Sequence, residues 1–81
     1  MTFQVAKAYV LINVGTGVED NVLNDVKKLQ GVREVYVSYG AYDLIVKVEA
    51  DNLDEMKEIV THRLRTINNV KSTLTLTVID Q

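Results

Sequence analysis

Apolar and polar positions alternate along the chain with two different periods, and the changes between them mark out six elements. Residues 3–14, FQVAKAYVLINV, are β-branched and aromatic with polar residues only at intervals, which predicts a long strand. Gly15-Thr16-Gly17 then predicts a turn into a helix. From 18 to 30 the apolar residues are Val18, Val22, Leu23, Val26 and Leu29, one face of a helix, with Gly31 placed as its stop. Glu19 and Asp20 in its first turn and Lys27 and Lys28 in its last suit the helix dipole.

Residues 32–39, VREVYVSY, alternate with a period of two, setting Val35, Val37 and Tyr39 against Glu34, Tyr36 and Ser38. Gly40-Ala41 predicts a reversal, and 42–49 resume with Tyr42, Leu44, Val46 and Val48 against Asp43, Ile45, Lys47 and Glu49, forming a β-hairpin. A second helix is expected from Asn52, whose pairing with Glu55 three residues on resembles a capping box. Its stripe is Leu53, Met56, Val60, Leu64 and Ile67, with Ile59 beside it, and Asn68-Asn69 ends it. The last strand, 71–79, sets Ser72, Leu74, Leu76 and Val78 against Thr73, Thr75, Thr77 and Ile79.

The order β-α-β-β-α-β with right-handed crossovers predicts an α+β ferredoxin-like plait, a four-stranded antiparallel sheet with both helices on one face. The leucine and valine rows are expected beneath the helices. Tyr36, Ile45, Thr73, Thr75, Thr77 and Ile79 are expected on the open face, where they would form an interface between stacked sheets. A solvated sheet rich in β-propensity threonines is the competing reading.

Composition narrows the function. The chain has 81 residues, enough for one domain spanning 1–81. Folding at this size buries about 63% of the unfolded chain's surface, which leaves a marginal domain and favours self-association. A net charge of -2 supplies no cationic field for a phosphate backbone, so direct nucleic-acid binding is not expected. The absence of Cys excludes disulfide frameworks and thiolate metal sites. No signal peptide or spanning segment is legible, and a cytoplasmic location is expected.

Catalysis finds little support. His62 is the only histidine, with no second His and no Cys to complete a metal site or a nucleophile dyad. Asp51, Asp54, Glu55 and Glu58 open a helix and compensate its dipole. No cofactor and no metal is expected. The hairpin is more informative, because Asp43 opens a strand that otherwise reads Leu-Ile-Val-Lys-Val. Two roles are open to it: holding a ligand ammonium while turn amides hold a carboxylate, or satisfying the turn amides itself. Residue chemistry alone favours the second. In the plait Asp43, Gly15 and Thr73 share one edge, with Thr75 one step inward and the flanking strands roughly 10 Å apart.

YGAYDLIVKV at the hairpin and VKSTLTLTVI at the end resemble the effector domain of the Lrp/AsnC family, also called the RAM domain, over roughly Lys7 to Ile79. Gly40-Ala41-Tyr42-Asp43 is similar to the family's Gly-x-Tyr-Asp turn, and Thr73-Leu74-Thr75 to its Thr-x-Thr. The resemblance implies a non-enzymatic, oligomeric module that binds a small amino-acid effector, with Gly40, Ala41, Tyr42, Asp43, Thr73 and Thr75 as the ligand-binding residues. It also implies homodimers of stacked sheets, a ring of dimers, and co-assembly with a DNA-binding Lrp/AsnC-type regulator that modulates transcription. The residue before Gly40, often Thr in the family, is Tyr39 here. With no helix-turn-helix segment legible before Phe3, the stand-alone form of the domain is expected. The alternatives are a structural adaptor without ligand, or a small dimeric plait enzyme using His62 or Asp43 as base.

Overall fold

The computed structural model describes residues 5–78, and the parts of the expected first and last strands at 3–4 and at 79 lie outside them. Strands β1 (Ala6–Val14), β2 (Val32–Val37), β3 (Leu44–Ala50) and β4 (Val70–Val78) alternate with helices α1 (Glu19–Lys27) and α2 (Leu53–Glu58) in the expected order. The strands form one antiparallel sheet in the order β2-β3-β1-β4. Both helices pack on one side of it, α1 against β2 and α2 against β3 and β1. This is the ferredoxin-like α+β plait.

The core is one side of the two central strands plus the inward stripes of the helices. Ala8, Val10, Ile12 and Val14 of β1 and Leu44, Val46, Val48 and Ala50 of β3 are buried. Above them lie Val22 and Val26 of α1, and Met56, Ile59, Val60 and Leu64 of the second helical region. Leu44, Val46 and Val48 of the β3 row and Val22, Val26, Met56, Val60 and Leu64 of the helical stripes are thus buried as read from the chain, and burial of each such side chain contributes about 1.5–3 kcal/mol.

Caps explain where the helices begin and end. Asn52 is extended, and its side chain accepts the Glu55 N–H at 2.8 Å, satisfying one donor left without a partner in the first turn. After Glu58 the helix widens into a π-helical segment, Ile59–Leu64, in which Arg65 N–H reaches back five residues to the Val60 carbonyl. The wider turn brings Ile59, Val60 and Leu64 onto the buried face together. Thr66 Oγ1 closes the end by donating to the His62 and Arg63 carbonyls. The continuous α-helix expected to 67 is thus shorter and partly π, and Leu53, expected in its buried stripe, is 48% exposed.

Two expectations about the strands are corrected. The reversal is longer than Gly40-Ala41: β2 ends at Val37 and β3 begins at Leu44, so 38–43 form the loop and Tyr42 and Asp43 precede the strand. More consequential is the face of β4. Ala8, Val10 and Ile12 pair with Thr77, Thr75 and Thr73, and residues opposite one another share a face. The threonines therefore lie on the helix side, and Leu74, Leu76 and Val78 lie on the open face with Leu11, Tyr9 and Lys7. The leucine row is outward because β4 is an edge strand beyond α2's cover, so hydrophobicity alone did not decide which row faces the helices. Ile79, expected beside the threonines, is outside the described residues.

Candidate functional site at the hairpin and the last strand

Asp43 is held by three hydrogen bonds. Its N–H donates to the Ile12 carbonyl at 2.9 Å, and its carbonyl accepts the Ser38 N–H at 2.8 Å. Its carboxylate Oδ2 accepts the Val14 N–H at 2.9 Å. The side chain thereby prolongs the β1–β3 ladder past its last pair, Ile12 with Leu44, with a carboxylate in the place of a main-chain carbonyl. This accounts for an aspartate at the head of an apolar strand. The simpler expected role, satisfying turn amides, is corrected in its partner: the amide that the carboxylate satisfies belongs to β1 and not to the turn. A carboxylate has two oxygens and about four acceptor positions, so the Val14 N–H occupies only part of its capacity.

Gly40 has φ +138°, a conformation that side-chain-bearing residues rarely adopt, and a Cβ placed there meets nothing within 4 Å. Gly40 and Ala41 are exposed at the loop, while Tyr42 and Asp43 are half-buried. Tyr39 is 97% exposed, so its ring projects away from its own protomer and fills nothing within it.

Thr73 is half-buried and pairs with Ile12, the same residue that pairs with Leu44 on the other side. Leu44 and Thr73 are therefore two strand spacings apart, about 10 Å. Thr75, exposed, pairs with Val10 farther along β1. The end of β1 is tied to the start of β4 by Gly15 N–H to the Asn69 carbonyl at 3.0 Å and Asn13 Nδ2 to Ser72 Oγ at 3.2 Å. Asp43 and Thr73 thus flank one end of β1, while Gly40 and Ala41 lie out on the loop. Val14, whose N–H orients the carboxylate, gave no signal in the sequence, since a main-chain donor is independent of residue type.

Two other polar groupings lie away from this end. His62 is exposed and lies 3.8 Å from Glu58, a surface pair one turn apart. A concavity lined by Gln30, Gly31, Arg33, Glu49, Asp51 and Glu55 sits at the opposite end of β3, where Arg33 and Glu49 pair at 3.5 Å. Among the described residues no group of three or more His, Cys, Asp or Glu is arranged to hold a metal ion. Among them also, no helix is long and apolar enough to cross a membrane. On the open face, the Glu34 carboxylate accepts the Tyr36 hydroxyl and holds that phenol above its ordinary pKa.

Comparison with known proteins follows the same geometry. The sequence profile described as the Lrp/AsnC ligand binding domain matches residues 7–81. An uncharacterised helix-turn-helix-type transcriptional regulator of Pyrococcus abyssi is 39% identical over 59 residues, 73% of this chain and 39% of that protein. The chain thus spans well under half the length of the curated regulators it matches. A hypothetical protein of Pyrococcus horikoshii superposes with a TM-score of 0.86 at 34% identity, over 94% of this chain and 92% of its own. A transcriptional regulator of Neisseria meningitidis, solved as a complex with L-Met, shares the fold, with a TM-score of 0.84 at 13% identity over 94% of this chain and 51% of its own. With that profile covering residues 7–81 and a regulator 39% identical over 73% of the chain, this chain belongs to the Lrp/AsnC ligand binding domain family.

Proposed function

We propose that this chain is a non-enzymatic effector module that binds a small amino acid and modulates transcription by assembling with a DNA-binding relative. The observation that carries the reading is the Asp43 carboxylate, locked by the Val14 N–H beside the open Gly40 turn. An anion held rigidly with acceptor capacity to spare suits an ammonium, because little side-chain entropy remains to be lost on binding. Gly40 and Ala41 would offer backbone contacts, Tyr42 packing, and Thr73 and Thr75 hydroxyls. Amino-acid binding by a protein of this fold is supported by the L-Met complex of the Neisseria regulator.

The span of about 10 Å between the Asp43 and Thr73 strands exceeds what one small zwitterion bridges, so a neighbouring subunit completes the pocket. Residues 1–81 act as a single such domain. Its open sheet face, with Tyr9, Tyr36, Leu74 and Leu76 exposed, supports a dimer of stacked sheets and assembly of dimers into a ring. The match to the Lrp/AsnC ligand binding domain, with transcriptional regulators as relatives, supports binding over catalysis.

Titration calorimetry of the intact chain against the common amino acids tests this reading. Saturable heat with at least one of them, abolished by Asp43→Ala, is expected. No heat with any amino acid, together with an unchanged assembly mass, would refute it.

A further inference from the structure

The two edges of the sheet are built differently. β2 forms one edge with six residues, carries Arg33 and Glu34, and shifts register against β3 between Val32 and Glu34. Short length, charge and an irregularity are the features that keep an edge strand from pairing with another chain. β4 forms the other edge with nine residues, and its pairing with β1 is unbroken from Ser72 to Val78. That stretch, STLTLTV, contains no charge, proline or glycine, and the one charge of the strand, Lys71, lies just before it. Among the described residues, no strand pairs with its outer side.

The stretch is also self-complementary. Read about Thr75, it is close to a palindrome: Leu74 mirrors Leu76, Thr73 mirrors Thr77 and Ser72 mirrors Val78. A two-fold interface requires a surface to match its own rotated copy. In an antiparallel pair centred on Thr75, the leucines of one copy meet leucines of the other on the open face. The threonines likewise meet threonines on the helix side, so within 72–78 neither face places an apolar side chain opposite a charge. Thr75, Leu74, Leu76 and Thr77 are exposed in the single chain, so no side chain has to leave a core for the strands to meet.

We infer that β4 pairs edge to edge and antiparallel with β4 of a second copy of this chain, about a two-fold axis at Thr75. The two sheets become one of eight strands, and Leu74 and Leu76 of both copies form a continuous patch at its centre. This contact is distinct from sheet stacking, because Thr75 lies on the helix side and the stacking surface is the opposite face.

The chain has no cysteine, so single-cysteine variants read the contact directly. Across the axis Thr75 faces its own copy with Cα atoms about 4.5–5.5 Å apart, within disulfide range. Under mild oxidation Thr75→Cys should become a disulfide-linked dimer. Thr73→Cys and Thr77→Cys should each stay monomeric on non-reducing gels, since each lies about 13 Å from its own mate, and should link when mixed. Thr75→Lys, which opposes two like charges at an exposed position, should lower the assembly mass without changing the circular dichroism spectrum.

Repeating the Thr75→Cys oxidation with Tyr9→Glu, which charges the open face on a different strand, separates this contact from stacking. Linking that survives there supports the edge pairing on its own. A Thr75→Cys chain that stays reduced while the wild type is oligomeric by light scattering would overturn the inference. So would Thr73→Cys linking alone as readily as Thr75→Cys, or linking that vanishes with Tyr9→Glu.

Discussion

Removing the Asp43 carboxylate in two ways separates its two roles. Asp43→Ala takes away the acceptor of the part-buried Val14 N–H, which then has no partner at the end of the β1–β3 ladder. Losing a bond to a charged group in this setting costs about 2 kcal/mol. The whole domain, at 81 residues, is expected to be stable by only roughly 4–12 kcal/mol. A loss of about 2 kcal/mol lowers the melting temperature of a domain this size by about 8–16 °C. Asp43→Asn keeps an acceptor oxygen of the same shape at the same position, so the Val14 bond persists in a neutral form. Its cost should be about 1 kcal/mol or less. The charge is nevertheless gone, and affinity for an ammonium-bearing ligand should fall at least about tenfold in Asn and Ala alike. Thermal unfolding followed by circular dichroism reads the first effect and calorimetry the second. If Asp43→Ala melts within about 2 °C of the wild type, the structural role assigned to the carboxylate is wrong. If Asp43→Asn loses as much stability as Asp43→Ala, the charge and not the acceptor geometry holds this corner.

Three further expectations rest on other parts of the fold. Gly31→Ala combines φ +95° with a Cβ 2.6 Å from Ile59 Cδ1 and 3.1 Å from the Glu49 carbonyl, so urea unfolding should show a loss of about 2–4 kcal/mol. Gly40→Ala meets open space and carries only the backbone cost, so the smaller loss should be its own; equal losses would count against the packing argument. Asn52→Ala removes the side-chain acceptor of Glu55 N–H and should cost about 1 kcal/mol in the same assay, with no change indicating that the cap is dispensable. The bond to Glu34 raises the Tyr36 pKa above 10.0, so its stabilisation is complete below the unfolded value and fades as pH rises through the raised folded one. In an ultraviolet tyrosinate titration, Glu34→Ala should move one of the four tyrosines to lower pH, and coincident curves for the two proteins would contradict this.

Much of the site was legible in the chain. Asp at the head of an apolar strand drew attention to position 43, and Gly40 proved to need a positive φ. What stayed hidden was the partner. Val14 contributes through its N–H, and every residue but proline has one, so no pattern of side chains announces it. The loop is longer than strand propensity suggests for a related reason. Tyr39 and Tyr42 are good strand formers, yet Ser38 N–H bonds to the Asp43 carbonyl and closes the ladder before either tyrosine can join it. The widened turn at Ile59–Leu64 has the same character, because a stripe spaced at three and four residues fits an α-helix until packing brings Ile59 and Leu64, five residues apart, inward together.

The sequence by itself determined the order of elements, the row that fills β3, and the absence of thiol chemistry. These follow from local periodicity and composition, which the chain carries without reference to its neighbours. Only the tertiary structure decided which way β4 faces. Alternation divides a strand into two rows but leaves their assignment to the register with the adjacent strand, and Ile12 opposite Thr73 turned the threonines to the helices and the leucines outward. That one register sets Leu74 and Leu76 beside Leu11 and Tyr9 on the open face, because a residue in an antiparallel pair takes the face of the residue opposite it.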